Sequence, residues 1–328
     1  MILTDKNDTE RTMKKSLFTK RKTVILFAII AMFSWGCAFP FIKLGMKEYA
    51  ISNDDTAGKM LFAGIRFFLA GIITLIITYK REKNIKIKSL KDFSWLFLFG
   101  FVNTGFHYFC FYMGLSNCSG SKASIIDSLG TFWLIFLAVF FFKERLTSNK
   151  ILGCLFGFAG IIIANFSTDI ISKVSFQGEG FLVISTLCAA FGGVIVRIIT
   201  TVRNINAVKA TGYGLTIGGV LLLAGGLFLG GTLTKVTLKG IVVMFCLVAI
   251  SVVGFVLYNQ LLSCNPVGQI AIFNALIPVF GTLTSCILTG ERFYFRYIIS
   301  IILVALGIWF VNREKIKITK TIAFLFNR

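Results

Sequence analysis

Residues 121–165 read SKASIIDSLGTFWLIFLAVFFFKERLTSNKILGCLFGFAGIIIAN, and residues 268–312 read GQIAIFNALIPVFGTLTSCILTGERFYFRYIISIILVALGIWFVN. Laid side by side without a gap, the two stretches stand 147 positions apart and match at Ile125/Ile272, Leu129/Leu276, Glu144/Glu291, Arg145/Arg292, Ile151/Ile298, Gly160/Gly307, Ile161/Ile308 and Asn165/Asn312. Aliphatic matches are cheap in sequence this apolar. A Glu-Arg pair recurring at one register after a long hydrophobic run is not, and it divides the chain into two related halves.

The composition says what such halves are made of. Of 328 residues, 56% are hydrophobic and 15% charged, with 36 phenylalanines and a mean hydropathy of +0.84. Soluble domains sit at about 45–50% apolar and 25% charged, so the excess here must face lipid. A helical crossing takes about 20 mainly apolar residues. Charges and turn residues bound such runs at 23–46, 58–79, 93–114, 121–142 and 149–167, then at 177–200, 207–230, 240–262, 266–290 and 295–312. The seventh and eighth are the least sharply bounded, because glycines run between them. All ten are too long for the roughly ten-residue alternating strands of an outer-membrane barrel, and helices satisfy their own backbone in lipid. The first run lacks a small-residue cleavage site and reads as a retained span, not a signal peptide.

Lys and Arg total 34 against 14 acids. In a soluble protein that excess would point to nucleic acid, but no basic stripe with interleaved aromatics occurs. The cations cluster between the apolar runs instead. The N-terminal tail, the loops after spans 2, 4 and 6, and the C-terminal tail hold 24 of them, and the opposite loops hold eight. The positive-inside rule then places both termini in the cytoplasm. A five-span unit repeated once must also invert, because five is odd. The expected fold is all-α integral membrane, ten transmembrane helices as two inverted five-helix repeats: a tail over 1–21, repeats over 22–167 and 176–312, and a second tail over 313–328.

Several chemistries are excluded. The eight cysteines lie in or beside apolar runs with no CxxC pair, and the only histidine is His107, so neither a zinc site nor a disulfide framework is expected. No GxxxxGK[ST], HExxH or GxSxG motif occurs. The chain is not expected to be an enzyme, to use a cofactor or to hydrolyse ATP. The partners expected are a small-molecule substrate and the lipid bilayer.

Span 1 carries Trp35-Gly36, Phe39 and Lys43, and span 2 carries Arg66-Phe67-Phe68-Leu69-Ala70. The first half continues through Tyr112 and Ser124 to Glu144-Arg145-Leu146, Gly153 and Gly160; the second repeats Tyr258, Pro278, Glu291-Arg292 and Gly307. In order and spacing the chain resembles the drug/metabolite transporter superfamily, specifically its EamA family of ten-span carriers, from about residue 22 to 312. The resemblance implies secondary transport, usually export of amino acids or related small metabolites, across the plasma membrane of a bacterium. Proton coupling and facilitated diffusion both fit. A lipid or lipid-linked flippase of the same superfamily is the alternative; a channel or intramembrane enzyme fits less well. One departure stands out: the proline common in span 4 is Thr131 here, while span 9 keeps Pro278.

Charged groups inside spans cost at least about 2.5–3.5 kcal/mol and need a reason. Arg66 lies about eight residues into span 2, roughly 12 Å deep at the helical rise. Its fork suits a carboxylate; a structural tie between spans 2 and 4, through Asp127 or helix-end carbonyls, is the competing role. Asp127 lies about six residues into span 4 and could exchange protons, bind an amine or neutralise Lys43, Arg66 or Lys122. Lys43 can snorkel from the end of span 1, and His107 can relay protons or pack through a hydrogen bond. Asn103, Tyr258, Asn259 and Asn274 complete the polar set, with Asn274 aligned on Asp127. Trp35, Phe39, Phe106 and Trp133 are candidates to wall the substrate path. Pro40 and Pro278 are hinge candidates. Gly153/Gly157 and Gly226/Gly230 are spaced for close helix packing, and the Glu-Arg pairs fall at span ends, where a salt bridge or helix-end contact is expected.

Overall fold

Polar side chains at the helix starts set the boundaries of this chain. Asp55 accepts the backbone N–H of Gly58 at 2.7 Å, Ser89 that of Asp92 at 3.1 Å, Asn206 that of Val208 at 2.7 Å and Thr237 that of Gly240 at 2.9 Å. Each cap satisfies a donor that has no partner within its helix. A computed structural model describes residues 17–117, 120–165, 175–289 and 294–313. Within them the chain forms α1 (Arg21–Glu48), α2 (Thr56–Glu82) and α3 (Leu90–Gly100, a π-helical turn over Phe101–Phe106, then His107–Ser116). It continues as α4 (Gly120–Phe142), α5 (Ser148–Asn165) and α6 (a π turn over Phe176–Gly180, then Phe181–Thr201). Then come α7 (Ala207–Phe228), α8 (Leu238–Cys264), α9 (Val267–Ala271, a 3-10 turn over Ile272–Ala275, then Leu276–Thr289) and α10 (Arg296–Arg313). No strand occurs among the described residues.

Each expected span is present as a helix, with ends within three residues of those read from the sequence. Eight are long and apolar enough to cross a membrane; α4 and α5 contribute shorter apolar stretches, Ile126–Phe142 and Ser148–Ile163. Large apolar side chains remain exposed along their flanks, among them Phe33, Ile76, Phe136, Phe140, Leu155, Phe245 and Ile302. That is the surface lipid requires. Most of both tails lies outside the described residues, as do Glu291, Arg292 and the side chains of Lys122 and Ser124.

The helices pack in a pattern that repeats when five is added to each number. α1 packs against α8 and α9, as α6 packs against α3 and α4, while α2 lies along α7 and α5 along α10. Glycines set the last two contacts. On α7, Gly212, Gly219 and Gly226 meet Leu75, Phe68 and Leu61 of α2; on α2, Gly64 and Gly71 meet Leu223 and Thr216 of α7. A Cβ at Gly219 would lie 2.4 Å from the backbone nitrogen of Phe68. Gly219→Ala is therefore expected to cost about 1–3 kcal/mol by overpacking, read as a lower thermal midpoint in detergent. An unchanged midpoint would mean the α2–α7 contact is not this tight. Gly153 and Gly157 pack on Gly307 as their spacing predicts, and Gly226 packs on α2. Gly230 does not pack: it has φ +74° and nothing near its Cβ position, because it turns the chain out of α7 in a conformation glycine adopts freely.

The prolines behave differently from each other. α1 runs unbroken through Pro40. In α9 the 3-10 turn Ile272–Ala275 stands just before Pro278, where the missing N–H leaves the carbonyl four residues back without its helical donor. At the matching register in α4 stands Thr131, and α4 is continuous. The two halves thus differ where the sequence departs from the pattern of the family it resembles.

Candidate functional site

Arg66 is a charged group buried among apolar neighbours. It is 2% exposed, and its Nε donates to Ser251 Oγ of α8 at 2.7 Å. Ser251 in turn donates to Leu247 O at 2.8 Å, so the serine hydroxyl is satisfied whether or not Arg66 is present. The guanidinium carbon stands 5.0 Å from the centre of the Phe67 ring, a cation–π contact. Among the described residues no carboxylate pairs with Arg66, and Asp127 forms no ion pair with it.

Aromatic rings connect Arg66 to the rest of the centre. Trp35 of α1 meets Phe255 at 5.1 Å and Tyr258 at 5.0 Å, both from α8. Phe255 meets Phe67 at 6.1 Å, Phe67 meets Tyr108 of α3 at 4.3 Å, and Tyr108 meets His107 at 4.5 Å. The bare Cα of Gly254 makes room for Trp35, whose Nε1 would be 2.5 Å from a Cβ there. Tyr258 OH accepts Asn274 Nδ2 at 3.1 Å, which joins α8 to the 3-10 turn of α9. Tyr108 lies within Coulombic range of both Arg66 and Asp127. Asp127 itself is half-buried on α4.

Two buried polar atoms here have no hydrogen-bond partner among the described residues, Trp35 Nε1 and Asn274 Oδ1; on α4, Trp133 Nε1 is likewise unmet. Leaving such an atom unmet costs about 1–3 kcal/mol, so donors and acceptors of a bound molecule or water would be welcomed there. Trp35 and Asn274 both adjoin Tyr258. The centre therefore offers a cationic fork, aromatic faces, a free indole donor, one free amide acceptor and, on α4, a carboxylate.

The remaining candidates are held by other partners or lie outside the centre. His107 Nδ1 stands 2.8 Å from Ser185 O and 3.2 Å from Ser185 Oγ on α6; a carbonyl accepts only, which assigns the proton to Nδ1. Asn103 sits in the π turn of α3 against Gly192 of α6, with Oδ1 2.1 Å from the Cβ position of that glycine. Asn259 faces α7, donating to Thr211 Oγ1 at 2.9 Å. Lys43 is exposed on α1. Phe106 lines an apolar recess of about 430 Å³ between α3, α4 and α6, with Trp95, Phe141, Cys188 and Phe191. That recess holds no polar candidate. Sequence reasoning missed Ser251, Tyr108, Phe255 and the π turn. Serines and aromatics are too common in spans to signal, and a π turn leaves no mark in periodicity.

The EamA-like transporter family profile matches twice, over residues 22–166 and 176–313. A protein named as an uncharacterized transporter of Archaeoglobus fulgidus is 25% identical over 300 residues, covering 90% of this chain and 100% of its own. One named as a probable amino-acid metabolite efflux pump of Escherichia coli is 22% identical, covering 88% of this chain and 94% of its own. An S-adenosylmethionine/S-adenosylhomocysteine transporter of Chlamydia muridarum is 22% identical, covering 92% and 95%. A crystal structure at 15% identity superposes with a TM-score of 0.70 over 90% of this chain and 98% of the other, which shows a shared fold.

Proposed function

The chain belongs to the EamA-like transporter family, and from that premise we propose that it exports amino acids or related small metabolites by alternating access. The observation that carries this reading is Arg66: a buried guanidinium with a single hydrogen bond and no anionic partner among the described residues. A cation kept unpaired among apolar helices is costly, and a substrate carboxylate is the complement its fork fits best. Asp127 takes the substrate ammonium from α4, and the aromatic faces between them contact the side chain. Two relatives carry names referring to an amino-acid metabolite and to S-adenosylmethionine; both kinds of compound are built on an α-amino carboxylate, which supports the same substrate class.

The five-fold shift in helix contacts supports two halves, and the odd number of crossings makes them inverted, as in many secondary transporters. On the cation count, the ends of α2, α4, α6 and α10 face the cytoplasm of a bacterial plasma membrane, with both termini. The group α3/α4/α6 then rocks against the group α1/α8/α9 around Arg66.

Purified full-length protein in liposomes, tested for counterflow across a set of labelled amino acids, checks this directly. We expect uptake of label stimulated by unlabelled substrate inside, which a channel cannot give. Absence of exchange for every amino acid, together with movement of a labelled phospholipid, would overturn the reading in favour of a flippase. The apolar recess between α3, α4 and α6 favours that second reading.

A further inference from the structure

Two charged side chains cross from one helix group to the other, and they do so at the same mouth. Glu144 follows the end of α4. Its Oε1 accepts the N–H of Val267 at 2.6 Å, and its Oε2 accepts the N–H of Gly268 at 3.1 Å. These N–H groups open α9 and have no helical acceptor. Oε2 also pairs with Lys150 Nζ at 3.0 Å, on a lysine side chain that is 1% exposed. Gly268 is required here, since a Cβ would stand 3.0 Å from Glu144 Oε2 and 3.1 Å from Lys150 Nζ. Arg197, on α6, donates from Nη1 to Leu262 O in the last turn of α8 at 2.7 Å. It lies within Coulombic range of Glu144.

We propose that Glu144 and Arg197 form a two-point latch that closes the cytoplasmic mouth between α3/α4/α6 and α1/α8/α9, and that its release opens that mouth. The proposal rests on the alternating-access reading above. Within the groups, His107 to Ser185 joins α3 to α6 and Asn274 to Tyr258 joins α9 to α8 without charge, while the charged pair of Arg203 with Asp92, at 2.8 Å, ties the end of α6 to α3 side chain to side chain. Those across the mouth are charge-assisted and end on backbone atoms. Such contacts suit a joint that must open, because water readmitted to the mouth solvates an exposed carboxylate or guanidinium well, whereas a parted apolar interface gains nothing from it. Their backbone partners fix where the groups meet without demanding a matching side chain. The repeat assigns the corresponding carboxylate at the other mouth to Glu291, which lies outside the described residues.

The test needs no substrate. In the full chain, with its native cysteines replaced by Ala or Ser, Ile270→Cys reports on the cytoplasmic mouth: Ile270 is 0% exposed on the first turn of α9. Ile126→Cys, beside Asp127 on α4, reports on the opposite half. Each reporter is labelled with a membrane-impermeant maleimide in vesicles of known orientation, with and without Glu144→Gln or Arg197→Gln. We expect either latch substitution to speed Ile270→Cys labelling about tenfold, the loss of one charge-assisted hydrogen bond, and to slow labelling of Ile126→Cys. Faster labelling at Ile270→Cys with no change at Ile126→Cys would keep the latch and overturn alternating access. Unchanged labelling at Ile270→Cys in both variants would overturn the latch. The two substitutions sit on different segments, after α4 and on α6, so one that fails to insert, seen as lost membrane-embedded protein, leaves the other to decide.

Discussion

Arg66→Ala abolishes amino-acid counterflow, by at least about 100-fold, if its two forked hydrogen bonds to a carboxylate are each worth the usual 1.5–3 kcal/mol of a charged pair. The protein should still insert and fold. Ser251 keeps its bond to Leu247 O, so no orphaned donor remains, and an apolar alanine is at home in that bilayer position. Arg66→Lys separates charge from geometry: it preserves the cation and loses the fork, so it should retain part of the activity, about tenfold below the parent. Initial counterflow rates in liposomes, normalised to reconstituted protein, give the comparison. Wild-type exchange by Arg66→Ala would place the substrate carboxylate elsewhere.

The second large effect is expected at Asp127. Asp127→Asn keeps shape and hydrogen-bonding capacity and removes the charge, and should eliminate exchange of zwitterionic amino acids to a similar extent. The diagnostic comparison is between exchange at equal pH on both sides and accumulation driven by a pH gradient. An ammonium ligand must be lost from both measurements. A carboxylate that only carries a proton would leave exchange intact and abolish the gradient-driven component, and that result would reassign Asp127 from substrate binding to coupling. Retention of both would remove it from the site.

The helices themselves could be read from the chain because lipid imposes one dominant rule: a crossing segment must be long, apolar and internally hydrogen-bonded. That rule acts on about twenty consecutive residues at once, so α1 to α10 emerge with ends correct to three residues. The contrast between α4 and α9 was equally legible, since it turns on whether residue 131 or 278 is a proline. The paired Glu144 and Glu291 were visible as a repeat. Their span-end position predicted a helix-end contact, and Glu144 makes one with Val267 and Gly268.

The candidate site was only partly visible. Depth in a span picked out Arg66 and Asp127, and alignment of the halves paired Asn274 with Asp127. Depth carries no direction around a helix, however, and adjacent residues point about 100° apart. Tyr258 thus meets Trp35 and Asn274, while its neighbour Asn259 turns to Thr211 on α7. His107 illustrates the same limit, with its ring held by Ser185, 78 residues away. A π turn over Phe101–Phe106 adds a local offset to α3, so even a helical wheel drawn from the sequence would misplace Asn103.

The sequence by itself determined that this chain is a membrane-spanning, all-helical protein built from two related halves, because hydropathy, cation placement and a gapless repeat are properties of residues in order. Which side chains meet is a property of residues across helices. Only the tertiary structure decided that Arg66 bonds Ser251 with no carboxylate partner among the described residues, and that Glu144 and Arg197 reach across to α9 and α8. The physical reason is that lipid rewards apolar surface without caring which helix lies next to which. Partner choice falls to close glycine contacts, ring stacking and a few polar bonds whose two ends lie 65 to 185 residues apart.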